Sequence, residues 1–111
     1  MNYDLLINLL SISSPSGKEE DIVLFIMEYL DKLKVKYTVD EFGNIYNILN
    51  QNKPLLSAHV DTVQFQLDNE IFKSIKVFEI IDKKTKSEKR IISSGRTVIG
   101  GDDKCGVFII L

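Results

Sequence analysis

Between residues 22 and 39 the hydrophobic pattern changes period, and that change restricts the chain to folds that combine helix with strand. Ile22, Phe25, Ile26, Tyr29, Leu30 and Leu33 recur at the spacing that gathers one apolar stripe on a helix, with Glu28, Asp31 and Lys32 off it. Immediately afterwards Val35, Tyr37 and Val39 alternate with Lys34, Lys36, Thr38 and Asp40, the period of two that sends successive side chains to opposite faces of a strand. Ser16 followed by Glu19 has the form of a capping box, in which each side chain satisfies a backbone N–H at a helix start. The stripe beginning after it is predicted to dock on a sheet, with Phe25, Tyr29 and Tyr37 in the core.

The flanking segments fit the same scheme. Residues 3–10 suit a short helix, and the run Ser11-Ile12-Ser13-Ser14-Pro15-Ser16-Gly17 is punctuated as a loop. Phe42-Gly43-Asn44 turns the chain, residues 45–49 are predicted to pair with 35–39 as a hairpin, and 50–54 form the next loop. Leu55-Leu56-Ser57-Ala58 has the apolar composition of a short strand buried inside a sheet, and it ends at His59. Position matters, because open α/β sheets place their chemistry beyond the C-terminal ends of strands. Further strands are predicted around 75–81 and 90–93, joined by a charged loop at 82–89. The expected fold class is therefore α/β, a mixed sheet flanked by helices, and 111 residues supply one domain's core. The apolar run Val107–Leu111 carries no cap or polar tail, so further chain or a covering partner is expected there.

Composition removes several function classes. A formal net charge of −2 does not mark a nucleic-acid binder. Lys83, Lys84, Lys86, Lys89 and Arg90 do cluster, but Asp82 and Glu88 dilute them and no aromatic residues interleave for base stacking, so a solvated loop tip is expected. Neither a nucleic acid nor a membrane is expected as partner: no apolar run approaches the ~18 residues of a bilayer span, and Met1-Asn2-Tyr3-Asp4 lacks a basic leader region. Cys105 is the single cysteine, which excludes an intrachain disulfide. A cytoplasmic location is the default expectation.

Two short segments carry potential chemistry. His59 is the single histidine, so an all-histidine metal site within one copy is excluded while a mixed site is open. Asp61, two residues along an extended segment, points to the same side, where its carboxylate can steady the ring nitrogen that is not on a metal. Taken alone, His-x-Asp is a weak signal, and a lone histidine at a strand end is more often structural or solvent-facing. In Gly100-Gly101-Asp102-Asp103-Lys104-Cys105-Gly106 the glycines let backbone approach a site where two adjacent carboxylates concentrate negative charge. That run fits either a cation site or an aspartate N-cap opening a terminal helix.

Taken in order, the segments Ser13-Ser14-Pro15-Ser16-Gly17-x-Glu19-Glu20, Asp40-Glu41-Phe42-Gly43-Asn44-Ile45, Ser57-Ala58-His59-Val60-Asp61-Thr62-Val63 and Thr97-Val98-Ile99-Gly100-Gly101-Asp102-Asp103-Lys104 resemble the opening of a peptidase T-type metallopeptidase. The superfamily also holds aminoacylases, dipeptidases, glutamate carboxypeptidases and succinyl-diaminopimelate desuccinylases. The resemblance implies the N-terminal part of a zinc-exopeptidase (phosphorylase/hydrolase-like) catalytic domain over residues 1–111, without the lid and dimerisation domain through which the complete form could pair as a homodimer.

By the same resemblance His59 would bind one zinc, Asp102 would bridge two, Asp61 would be the catalytic carboxylate that orients His59, and the Asp102–Asp103 peptide would be cis. The substrate would be a small peptide or an N-acyl amino acid, with a tripeptide aminopeptidase favoured by Gly-x-Asp-Asp-Lys. In the family the glutamate base and remaining ligands follow the aspartate motif, so residues 1–111 are expected to lack them, and a non-catalytic binding module is the alternative. Lys104 is expected to cap or pair with nearby carboxylates, and Cys105 to pack on its helix.

Overall fold

In the computed structural model, which describes residues 3–48, 52–63, 75–82, 89–94 and 98–111, the chain opens with helix α1 (Asp4–Ser11). Its buried residues Leu6, Leu9 and Leu10 fall on one face, as helical spacing requires. Helix α2 (Glu20–Lys32) buries Ile22, Ile26 and Leu30, while Phe25 and Tyr29 are half-buried and Leu33 is exposed. The stripe thus narrows to a row of residues four apart. At the C-terminus of α2 the Val35 N–H donates to the Leu30 carbonyl and the Lys34 N–H to the Asp31 carbonyl. With Lys34 at φ 56°, this is the double bond pattern of a Schellman cap, and Val35 packs back on the core beside Leu30.

The stripe was expected to dock on a sheet; it docks mainly on helices. Leu9 of α1, Ile22, Ile26 and Leu30 of α2, and Val107 of α3 (Gly101–Ile110) form the core cluster. α1 lies against α3, where the rings of Tyr3 and Phe108 stack with centroids 6.3 Å apart. Tyr37, Ile45, Ala58 and Val60 line the margin of this cluster. The buried cluster is drawn from the helices, with rows of apolar residues from α1 and α2 and the single residue Val107 from α3, while the two-residue strands β1 and β2 are too short to offer a row.

Strands β1 (Thr38–Val39) and β2 (Ile45–Tyr46) pair antiparallel with Thr38 opposite Tyr46. Strands β3 (Phe78–Asp82) and β4 (Lys89–Ser93) pair antiparallel with Phe78 opposite Ser93. Helix and strand combine as the sequence predicts, but among the described residues the strands make two separate two-stranded sheets instead of one mixed sheet. A parallel bridge between Pro15 and Thr62 lies outside both.

Residues 55–58 correct the expectation of a buried strand. They form none, and Leu55 and Leu56 are 90% and 71% exposed. An apolar strand is stable only when neighbours satisfy its backbone groups and cover its faces, and among the described residues no strand lies beside these four. The predicted end of the first hairpin at Leu49, part of the 50–54 loop, and the centre of the charged 82–89 loop lie outside the described residues. Among the described residues no helix is long and apolar enough to cross a membrane.

Candidate metal-binding site

The site begins with a turn. The Lys18 N–H donates to the Pro15 carbonyl at 2.8 Å, and Gly17 sits at φ 83°, the positive φ that a type II turn demands at its third residue. The predicted capping box does not form. α2 starts without any side-chain cap; Glu19 instead accepts the Gly17 N–H at 2.6 Å, and the Ser16 hydroxyl donates to Asp61 Oδ2, also at 2.6 Å. The turn holds Ser16 out to the side, away from the helix N-terminus.

One residue before the turn, buried Ser14 ties the loop to the segment carrying His59. Its hydroxyl donates to the Val60 carbonyl at 2.7 Å, and its own carbonyl accepts the Thr62 N–H at 2.8 Å. Residues 60–62 are therefore tied to a loop about 45 positions earlier, outside both sheets of the described residues.

His59, Asp61 and Asp102 come together. His59 Nδ1 lies 3.0 Å from the Asp61 carbonyl oxygen and 3.2 Å from Asp61 Oδ1, and Nε2 lies 3.1 Å from Asp102 Oδ1. The hydrogen bond to the Asp61 carbonyl is the main force holding the imidazole above its ordinary pKa; burial opposes it, and the Asp102 and Asp61 carboxylates add to it. Asp61 is held below the usual carboxylate range, chiefly by the Ser16 hydroxyl.

The chemical consequence concerns Nε2. When the neutral ring donates its one proton from Nδ1 to Asp61, Nε2 presents a lone pair to an Asp102 oxygen that also carries only lone pairs. A separation of 3.1 Å is closed by a proton on Nε2, in the other tautomer or in the protonated ring, or by a metal ion. Two donors on one tetrahedral zinc at ~2.0–2.1 Å stand about 3.3 Å apart, so the pair fits that role. The Asp102 side chain is 95% exposed and open to an incoming ion. Among the described residues no group of three or more potential ligands converges.

The neighbouring aspartates divide their labour. Asp102 and Asp103 interrupt α3 with non-helical dihedrals, and the peptide between them is cis, as the resemblance implies. Asp103 Oδ1 accepts the Gly106 N–H at 3.1 Å, so the N-cap foreseen for this run belongs to Asp103, leaving Asp102 to face His59. Gly100 precedes them at φ 73°, where a Cβ would stand 2.7 Å from Thr62 Cγ2; only glycine lets these two segments meet so closely.

Two expectations for this helix are corrected. Lys104 pairs with no carboxylate in the described residues: its side chain is fully buried and its ammonium donates to the Ile12 carbonyl at the end of α1. It turns inward because its position on α3 faces α1, and desolvation pulls its pKa down to about 8. Cys105 is exposed instead of packed.

Ser16, His59, Asp61, Val63, Ile99 and Asp102 are among the residues lining one cleft of about 320 Å³. Of these the sequence singled out His59, Asp61 and Asp102; Ser16 was read as a helix cap and Ser14, which ties the loop to this segment, as part of a loop, although both lie in the Ser13-Ser14-Pro15-Ser16-Gly17 segment that carries the resemblance.

No protein-family model matches the chain, and no solved structure matches it. It is 44% identical over 57 residues to a Pyrococcus abyssi protein provisionally named LysW-lysine/LysW-ornithine hydrolase, a match covering 50% of this chain and 17% of that one. Proteins of the same provisional name from Thermococcus kodakarensis and Pyrobaculum aerophilum are 42% and 37% identical over 62 residues, covering 54% of this chain and 18% of each. The chain spans less than a fifth of the length of these curated relatives in the matched region. Over about half its residues, then, it is similar to hydrolases.

Proposed function

We propose that this chain carries the first ligands of a zinc-dependent amide hydrolase acting near a free terminus of a small peptide or an N-acyl amino acid. The observation that carries the reading is the opposition of His59 Nε2 and Asp102 Oδ1 at 3.1 Å, with the other ring nitrogen already engaged by Asp61. His59 and Asp102 would hold the metal, Asp102 would bridge to a second ion, and Asp61 would fix the imidazole that binds. Zinc bound there supplies Lewis-acid polarisation of a scissile carbonyl. The chain's own contribution is to engage Nδ1 through Asp61 and so aim Nε2 at the Asp102 carboxylate, where a metal ion would take the place of a proton on the ring. The names of the relatives point to hydrolysis releasing lysine or ornithine, which supports testing derivatives of basic amino acids alongside the tripeptides that a peptidase T-like aminopeptidase would take.

A second reading, a module that binds without turnover, is favoured by the absence of a third converging ligand among the described residues. Zinc held by two protein groups should bind weakly, since protein sites normally supply three or four. Zinc titration followed by NMR should shift the His59 ring resonances at stoichiometric metal, and His59→Ala should abolish binding. Zinc-dependent hydrolysis of a tripeptide or an Nα-acyl-lysine, lost in His59→Ala, would establish the first reading. Binding without hydrolysis would establish the second, and no change at His59 in excess zinc would sink both.

A further inference from the structure

The geometry points to Ser16 as a positioning residue that acts through Asp61 on His59, fixing which imidazole nitrogen carries the proton and so what Nε2 offers to Asp102. The inference rests on the metal-site reading for its consequence, but its structural content stands apart from any metal.

Asp61 is shared between two partners, Oδ1 lying 3.2 Å from His59 Nδ1 and Oδ2 accepting the Ser16 hydroxyl at 2.6 Å. A carboxylate torsion is broad and roughly two-fold, so a half-exposed aspartate held at one oxygen alone would rotate among water-bonded positions. A charge-assisted O–H···O⁻ bond of this length on the second oxygen removes that freedom. It thereby keeps Oδ1, together with the Asp61 carbonyl, on the Nδ1 side of the ring.

Ser16 is itself firmly placed. It sits inside a turn closed by Lys18 N–H on the Pro15 carbonyl, and the turn is joined to the Asp61 segment by Ser14 on Val60, by Thr62 N–H on Ser14 and by the Pro15–Thr62 bridge. The diversion of its hydroxyl is informative. Ser16 stands ahead of α2 with Glu19 at capping-box spacing, a use that would stabilise the helix start, yet α2 begins without a side-chain cap and the hydroxyl donates to Asp61. The helix forgoes its cap, and the carboxylate beside the histidine gains a second restraint.

The test compares Ser16→Ala and Ser16→Thr in the full chain; residue 16 is exposed, so neither change opens a core cavity. Long-range ¹H–¹⁵N correlations of the His59 ring, recorded without metal at a pH where the ring is neutral, report the tautomer directly. The native chain should hold the Nδ1–H form, Ser16→Ala should shift population toward Nε2–H, and Ser16→Thr should restore the native ratio. Calorimetric titration with zinc alone should then show Ser16→Ala binding about tenfold more weakly, in line with the effect of removing a ligand's outer hydrogen-bond partners, and Ser16→Thr binding as the native chain does. A native tautomer ratio in Ser16→Ala, or an equal loss in the alanine and threonine variants, would overturn the assignment. If the native chain binds no zinc while the tautomer ratio still follows the hydroxyl, the metal reading fails and the role of Ser16 stands.

Discussion

Two aspartates each organise a region of this chain, and they draw their partners from opposite ranges of sequence. Asp40 accepts the N–H groups of Phe42 and Asn44, the Asn44 side-chain amide and the Tyr46 hydroxyl, all within six residues, and so closes the β1–β2 hairpin from inside. Asp61 takes Ser16 from 45 residues away, and its neighbour His59 takes Asp102 from 43 residues away. The hairpin is thus a local object that a short peptide already encodes. The candidate site exists only while α1, α2 and α3 hold their loops together.

The harshest test of that contrast is to weaken the core. Leu9→Ala removes a side chain with no exposed surface from the cluster shared by the three helices, and should cost about 2–5 kcal/mol in urea denaturation. Amide exchange in that variant should quicken at Thr62, whose N–H bridges to Ser14, far more than at Asn44.

Next in size is Lys104. Its pKa falls from 10.5 to about 8 on burial, so between those values the unfolded chain binds a proton that the folded chain has released. Stability should therefore rise with pH across that window, by at most about 3 kcal/mol, and Lys104→Met should flatten the rise.

A smaller effect, confined to the other region, is expected for Asp40→Ala. Chemical shifts should move at 38–46 and leave His59 unchanged. Asp40 is held below its ordinary pKa, first by the Asn44 side chain, so its contribution is complete above pH 3.8 and is lost as pH falls through the lower folded value. The variant should lack that acid-side loss, which an NMR pH titration of the hairpin would show. Smallest of all, Leu55→Ser at a 90% exposed position should change stability by no more than about 0.5 kcal/mol, whereas a buried strand there would make it severe.

These differences also mark what could be read from residue order. The apolar rows of α1 and α2 and the Phe42-Gly43-Asn44 turn were legible because helical spacing and turn chemistry act over a few residues. The strand expected at 55–58 was not formed, because strand formation depends on neighbours that composition does not supply. Ser16 carried two compatible uses, a helix cap and a carboxylate partner, and local rules favoured the nearer one.

By itself, then, the sequence determined the helix periodicity and the hairpin turn, and it singled out His59, Asp61 and Asp102, which the fold brings together. Tertiary structure alone decided that Ser16 serves Asp61, that Asp103 caps the last helix while Asp102 faces the ring, and that Lys104 is buried against the Ile12 carbonyl 92 residues away. The physical reason is range: a hydrogen bond between distant segments leaves no periodic trace in the chain, and forms only after packing of the helices has brought its partners within reach.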